Sequence, residues 1–405
     1  MDSNRSPSVQ LAVEAIRAQM RSGLLKPGNL LPTETALAET LDLSRGTIRR
    51  AIEILVQSGE VSRKRNARPR VESTKANLPP QGTQVHVWIS HPIADDATLQ
   101  FLRGISNGLM GGSFKMVVRE PNRFFGDYVK TEEREFLEEL IHDDGAWAAI
   151  IERDSDARND DLYRLAAERG KCLVFADIPP PEGVAADYVG TANAAASRRC
   201  TEHLIQLGHS RIVYVSESLS PFTVRDRIKG YWRALSLAGM TEHGRVIAAG
   251  DLTATPSTGV PNRGDFAQGL AASGYYGDRS RRLVREILAM DNRPTAIVTS
   301  CDVLAHWVCA VLEEDGFHLP GDFAVVGFDW LARWDDPAVD LITTAAQDFE
   351  GFGFQAAEFV LDRSNQDAPA PGRQVLLPAP LQVRASTVED PSSRLELKAR
   401  GARFR

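Results

Sequence analysis

The stretch SRGTIRRAIEILVQSGEVSRKRNARPR, Ser44 to Arg70, holds eight cationic residues (Arg45, Arg49, Arg50, Arg63, Lys64, Arg65, Arg68, Arg70) against Glu53 and Glu60. Guanidinium forks at this density suit anions. Each can grip a phosphate, or the O6/N7 edge of guanine, through two parallel hydrogen bonds. A second group of polar residues closes apolar, β-rich runs: Glu152 ends AAIIE, Asp177 ends KCLVFAD and Asp329 ends FAVVGFD. Carboxylates at strand ends stand where open α/β sheets place their ligand crevice, and they accept hydrogen bonds from hydroxyl-bearing ligands. The plain alternative for each is a helix N-cap.

The basic stretch is out of character with the rest of the chain. The 405 residues carry 47 Lys+Arg against 54 Asp+Glu, a net charge of −7. Residues 1–75 hold 13 Lys+Arg and 8 Asp+Glu, a balance of +5, which leaves −12 for the remainder. A small cationic head on a larger acidic body points to a head that meets a polyanion and a body with another task. The length fits two to four domains at about 100–200 residues each. No apolar run reaches the roughly 18–20 residues that span a bilayer. The opening MDSNRSPSVQLAVEAIRAQM lacks the continuous apolar core of a secretory signal. The four cysteines (Cys172, Cys200, Cys301, Cys309) form neither CxxC nor a Cys/His metal pattern, and read as buried thiols of a reducing cytoplasm.

The elements that must position these residues follow from periodicity. Val9, Ala12, Ile16 and Met20 repeat at helical spacing, and Gly23 ends that helix. A second helix is expected over Thr33–Leu41 and a third over Arg45–Ser58, with an apolar face of Ile48, Ala51, Ile52 and Leu55 and Gly59 as its stop. Glu60–Val71 reads as a basic hairpin, with Asn66 at its tip suited to a left-handed turn. Ser44 stands at the N-cap of the third helix. Two helices, a tight turn and a wing make a helix-turn-helix whose dipole end, Ser44, Arg45 and Thr47, meets phosphates or base edges, with Arg49 and Arg50 one turn on.

Beyond a polar linker, 72–84, short β-rich runs alternate with helices. The runs are VHVWIS (85–90), FKMVVRE (114–120), AAIIE (148–152), KCLVFAD (171–177), DYVGT (187–191), RIVYVSE (211–217), RVIAAG (245–250), TAIVTS (295–300) and FAVVGFD (323–329). Helices are expected over Leu99–Met110, Glu132–His142, Asp160–Arg169, Ala194–Leu207, Asp226–Ala238 and Val303–Asp315. Such alternation implies an α/β body of parallel sheets, and nine runs imply two lobes. Asp251–Gly274 reads as a surface insertion. The organisation is thus 1–71 head, 72–84 linker, 85–388 two-lobed body and 389–405 polar tail.

LLPTETALAETLDLSRGTIRRAIEILVQSGEVSRKRN resembles, without gaps, the winged helix-turn-helix of GntR-type bacterial transcription regulators. The resemblance covers about residues 7–71. It implies that Arg45, Thr47 and Arg49 contact DNA and that Glu34 supports them. The wing departs from the family: where two glycines usually stand, this chain has Asn66 and Arg68, followed by Pro69. The charges of Arg65 and Arg68 then replace glycine-mediated contacts with phosphate contacts.

EHLIQLGHSRI, LPGDFAVVGFD and LITTAAQDFEGFGFQAA resemble the periplasmic-binding-protein-like sensor of LacI/GalR-type regulators, over about residues 84–388. The combination resembles arabinose-repressor-type proteins. It implies two Rossmann-like lobes that clamp a small molecule, a sugar or derivative. Arg227, ahead of Gly230-Tyr231, matches the family's effector-contacting arginine, and Gln347 and Phe349 match its cleft-lining Q-D-F. Phe101, Glu152, Asp177, Asp329 and Tyr275, or its neighbour Tyr276, complete the expected ligand set. Cys301-Asp302 replaces the family's frequent Asn-Asp and removes a sugar-hydroxyl partner; Asp302 is then a helix cap.

No GxSxG elbow, Walker A loop or HExxH is present, and no cofactor or metal is implied. His203 and His209 belong to a helix end. The adjacent pairs Glu138/Glu139 and Asp335/Asp336 diverge by about 100° on a helix and form no acid/base dyad. The expected protein is a cytoplasmic, homodimeric transcription regulator, a repressor, with double-stranded operator DNA and a carbohydrate effector as partners and no membrane contact. A sugar-binding protein or carbohydrate-active enzyme without a transcriptional role stays open at this point.

Overall fold

The computed structural model describes residues 7–21, 25, 28–41, 43–57, 61–63, 68–71, 83–91, 96–110, 112, 114–122, 127–155, 158–249, 274–329, 341–364 and 372–389. Two compact units divide the chain, Met1–Leu78 and Pro79–Arg405.

In the first unit, helices α1 (Pro7–Arg21), α2 (Glu34–Leu41) and α3 (Arg45–Gln57) precede strands β1 (Val61–Ser62) and β2 (Arg70–Val71). The strands pair antiparallel, Val61 opposite Val71, and Leu30 bridges to Arg70. The apolar face foreseen for α3 is the core: Ile48, Ala51, Ile52 and Leu55 are all at most 1% exposed. Each of the larger three contributes about 1.5–3 kcal/mol by leaving water. They pack against Ala12, Val13 and Ile16 of α1 and Leu37 of α2. Gly59 and Asn66 lie outside the described residues, as do most of the linker (72–82), the insertion through residue 273, the Asp335/Asp336 pair and the tail from residue 390.

The second unit holds two six-stranded sheets. One comprises β3 (Gln84–Trp88), β4 (Lys115–Arg119), β5 (Ala146–Ile151), β6 (Cys172–Ala176), β7 (Asp187–Thr191) and β13 (Gln374–Leu377), in the order β13-β7-β6-β5-β3-β4. The other comprises β8 (Ile212–Ser216), β9 (Arg245–Ala248), β10 (Ala296–Thr299), β11 (Ala324–Asp329), β12 (Thr343–Ala346) and β14 (Leu381–Gln382), in the order β14-β12-β11-β10-β8-β9. All pairings are parallel except β12 with β14. The two orders are the same plan used twice. Helices α4 (Asp96–Leu109), α5 (Asp127–His142), α6 (Asp160–Glu168) and α11 (Phe349–Ser364) serve the first lobe. Helices α7 (Asn193–Gln206), α8 (Phe222–Leu237), α9 (Gly274–Leu288) and α10 (Asp302–Glu314) serve the second.

All nine foreseen β-runs are strands. The short strands β12, β13 and β14 and the helices α9 and α11 were not foreseen. Thr343-Thr344-Ala345-Ala346 has little apolar bulk to announce itself, and α11 carries Gly351 and Gly353 in its first turns. Gly353 is there for packing: a Cβ on it would lie 1.9 Å from the Phe101 carbonyl oxygen of α4.

The chain crosses between lobes three times: after β7, after β12 and between β13 and β14. Each crossing leaves the C-terminal end of a parallel strand, so the C-terminal edges of both sheets face one junction. Backbone bonds tie the crossings together: Ala192 N–H to the Leu377 carbonyl at 2.9 Å, and Ala346 N–H to the Pro380 carbonyl at 2.8 Å.

The edge strand β13 is held by a buried charge cluster. Asp187, 1% exposed, accepts from Arg363 Nη2 at 2.7 Å, Arg373 Nη2 at 2.8 Å and the Arg373 backbone N–H at 2.8 Å. Burial acts to raise the Asp187 pKa, but the two arginines outweigh it and hold the carboxyl below the usual aspartate range. Asp187→Ala leaves two cations without their buried anion and should cost about 3–5 kcal/mol of stability, read by urea unfolding of the full chain. Because the folded pKa is depressed, the wild-type contribution is complete above the ordinary aspartate pKa. It is lost as pH falls through the folded value, and an Asp187→Ala protein should lack that acid-dependent component.

Candidate functional site

In the first unit Ser44 caps α3 as foreseen: the Thr47 N–H donates to Ser44 Oγ at 3.1 Å, and the two hydroxyls lie 2.8 Å apart. Such a cap stabilises a helix by about 1 kcal/mol. Arg45 is exposed in the first turn, Thr47 half-buried beside it. Glu34, from the start of α2, takes the Arg49 fork: Nη2 at 2.9 Å and Nε at 3.2 Å from the same oxygen. That hydrogen bond, together with the charges of Arg49, Arg63 and Arg45, holds Glu34 below the usual carboxylate range. Arg50 pairs with Glu53 at 3.0 Å. Arg68, expected to point at phosphate, turns back onto the Leu31 carbonyl, and Arg70 Nη1 donates to the Gly28 carbonyl at 3.0 Å. These two arginines therefore fasten the hairpin to the 28–31 loop. Arg65 and Asn66 lie outside the described residues.

In the second unit the sheet ends gather Glu152, Asp177, Arg227, Asp329 and Gln347. Arg227, 6% exposed, projects from α8. Its Nε donates to Asn193 Oδ1 at 2.8 Å, Nη1 donates to the Ser300 carbonyl, and Nη2 lies 3.3 Å from Asp329 Oδ1. The guanidinium carbon sits 3.7 Å above the Phe328 ring. The position of α8 depends on Gly230, where a Cβ would lie 2.1 Å from the Ala194 carbonyl of α7. Gln347 Nε2 donates to Asp329 Oδ1 at 2.6 Å, and the Thr191 hydroxyl donates to Gln347 Oε1. One glutamine thus links two crossings to the end of β11.

From the first lobe, Glu152 accepts the Ser90 N–H at 3.3 Å and lies 2.7 Å from His91 Nδ1. Its loop is held from below by buried Glu133, which accepts the Asp154 N–H at 2.8 Å. In the same loop Ser155 Oγ accepts the Phe222 N–H of the second lobe at 3.3 Å. Asp177 and Asp329 both adopt left-handed backbones, φ 61° and 111°. Both end the fourth strand of their sheet, so the repeated plan sets two strained carboxylates at related places. Burial, with the Glu152 charge next, pushes the Asp177 carboxyl up to about 6.

Two expected ligand residues pack on the first lobe's core. Phe101 is 6% exposed in the first lobe's core with Ile105 and Phe352. Phe349 packs on the same core, edge-on to Phe352 with centroids 6.2 Å apart. Both are apolar side chains beside the crossing of α4 and α11. The Tyr275 side chain lies outside the described residues. Asp302 is the first residue of α10, and Cys301 precedes it as N-cap without a side-chain cap bond. Sequence reasoning missed His91, Asn193 and Phe328. Only Asn193 had a signal, an amide opening the helix after β7.

The fold and cleft define a class: a periplasmic-binding-protein-like body joined to a winged helix-turn-helix head. Residues 9–71 match bacterial regulatory proteins of the gntR family. Residues 130–257 match the periplasmic binding proteins and sugar-binding domain of the LacI family, and 201–387 match the periplasmic binding protein-like domain. More narrowly, then, the head belongs to the gntR family and the body to the LacI-type sensor domains. The arabinose metabolism transcriptional repressor of Geobacillus stearothermophilus is 24% identical over 91% of this chain and 94% of its own length. The HTH-type transcriptional regulator CelR of Thermobifida fusca is 28% identical over 58% of this chain and 61% of its own. The chain spans about half the length of several other curated relatives it matches. A LacI family regulator of Enterococcus faecium solved with ribose shares the fold, with a TM-score of 0.58 at 21% identity, over 75% of this chain and 98% of that one.

Gly230→Ala should force α8 away from α7 and lower stability by about 1–3 kcal/mol, seen as a reduced urea midpoint at unchanged slope.

Proposed function

We propose that this protein is a transcription regulator, acting as a repressor, that binds duplex operator DNA through its head and a sugar or sugar derivative in the cleft of its body. The observation that carries the reading is the pairing of a capped, arginine-bearing recognition helix with a two-lobed body whose strand-end polar groups meet at three chain crossings. Arg45, Thr47 and Arg49 read or grip DNA, with Glu34 orienting Arg49. Ser44 at the helix cap and Arg50 one turn on complete the DNA-binding set, with Arg65, Asn66 and Arg68 assigned to the wing. In the cleft, Arg227 and Asp329 hold the ligand, with Glu152 and Asp177 opposite. A relative named as a repressor of arabinose metabolism supports this, as does the ribose held by a protein of the same fold.

The regulator acts as a cytoplasmic homodimer, so that two heads meet two half-sites of a near-palindromic operator. No helix among the described residues is long and apolar enough to cross a membrane. The organisation is a head to residue 71, a linker over 72–84, a body to 388 and a tail. Catalysis has no part in this reading. Closure of the lobes on the effector changes operator affinity, and a coupling of about 1–3 kcal/mol is enough for roughly 5–150-fold regulation.

Arg49→Ala should weaken operator binding by about 1–3 kcal/mol in a gel-shift titration at fixed salt; unchanged affinity removes it from the reading set. Asp329→Ala should abolish the effector's influence on operator binding while leaving ligand-free DNA affinity intact, and a normal response would refute the cleft.

A further inference from the structure

Most glycines inside the helices are there because the fold leaves no room for a side chain. At Gly104, Gly108, Gly230 and Gly353 an added Cβ would lie 2.5 Å or less from an atom of a neighbouring helix. Gly46 is different. It is the second residue of α3, exposed, with a helical backbone and no positive φ. A Cβ there would meet nothing closer than the Ser44 hydroxyl oxygen at 3.7 Å, an ordinary van der Waals contact. Neither conformation nor packing within the head calls for glycine at this place. Glycine also weakens a helix relative to alanine, because it gives up more backbone freedom on folding.

The surroundings of Gly46 are cationic. Arg45 precedes it, and Arg49 and Arg50, three and four residues on, are its neighbours on the helix surface. Glu34 holds the Arg49 fork, with Nη2 at 2.9 Å, and the Ser44 cap fixes the first turn through the Thr47 N–H at 3.1 Å. Gly46 is thus a bare stretch of backbone bordered by three arginines, on a turn that is already rigid.

We infer that Gly46 determines sequence specificity by setting how deeply α3 docks: the duplex reaches van der Waals contact with the helix backbone at this residue. The inference rests on the head binding operator DNA. A recognition helix offers its N-terminal residues to base edges. A side chain at residue 46 would hold Arg45 and Arg49 away from those edges. Hydrogen bonds to bases weaken steeply with distance and angle, whereas attraction to phosphates falls off slowly. The sequence-specific part of the affinity is therefore lost, and the non-specific part survives.

The test uses the full chain and two duplexes of equal length, one selected by the wild type from a randomised pool and one with that sequence scrambled. Fluorescence anisotropy at fixed salt compares wild type with Gly46→Ala on both. The inference expects Gly46→Ala to lose at least about fivefold in affinity for the selected duplex, with a smaller loss for the scrambled one. Melting followed by far-ultraviolet circular dichroism should place Gly46→Ala at or above the wild-type Tm. A loss on the selected duplex below about fivefold overturns the inference and leaves the regulator reading standing. An equal loss on both duplexes, or a lowered Tm, does the same, since the glycine would then serve general charge contact or the head's own fold. A wild-type chain that enriches no duplex from the pool refutes the DNA-binding reading, and this inference with it.

Discussion

Two parallel sheets joined by three crossings at their C-terminal edges set the terms for the whole body. Every strand that leaves a lobe delivers its last residues to one junction, and polar groups there must find partners or water. The chain's answer is a small shared network. Asp329 receives Arg227 from α8 and Gln347 from the second crossing, and Gln347 in turn receives Thr191 from the first. A ligand that competes for Asp329 acts on the same atoms that tie the lobes together.

The repeated plan also shows how duplication diverges. Asp177 and Asp329 hold equivalent strand ends and share a left-handed backbone that costs about 1–3 kcal/mol for a residue with a Cβ. Their nearest charges differ. Asp329 stands beside a cation; Asp177 stands beside Glu152, another anion. The Asp187 cluster is the contrasting case, a buried anion fully met by two arginines and a backbone N–H, which fixes β13.

The head solves a different problem with shorter-range means. Its recognition helix is capped by its own Ser44 hydroxyl, and its central arginine is held by a carboxylate only fifteen residues earlier. Holding the Arg49 guanidinium in one orientation lowers the entropy that any contact it makes would cost. The pair is half exposed, so the gain is in orientation rather than stability. Arg68 illustrates the limit of counting charges: a cation in a basic run is satisfied by the Leu31 carbonyl.

The sequence by itself determined the local elements. The α3 core face, the Ser44 cap and nine strands all follow from spacing and side-chain type within a dozen residues. The division into a cationic head and an acidic body follows from composition, and the strand-end placement of Asp177 and Asp329 from where apolar runs stop. Which side chains share the cleft was decided only by tertiary structure. Arg227 and Asp329 are 102 residues apart and Thr191 and Gln347 are 156 apart, and no periodicity connects them. The same holds for Phe101 and Phe349, whose type and position fit either a cleft or a core until α11 packs on α4. Local pattern fixes which face of an element is apolar; only the winding of the chain through both lobes fixes what that face, and the polar ends beside it, will meet.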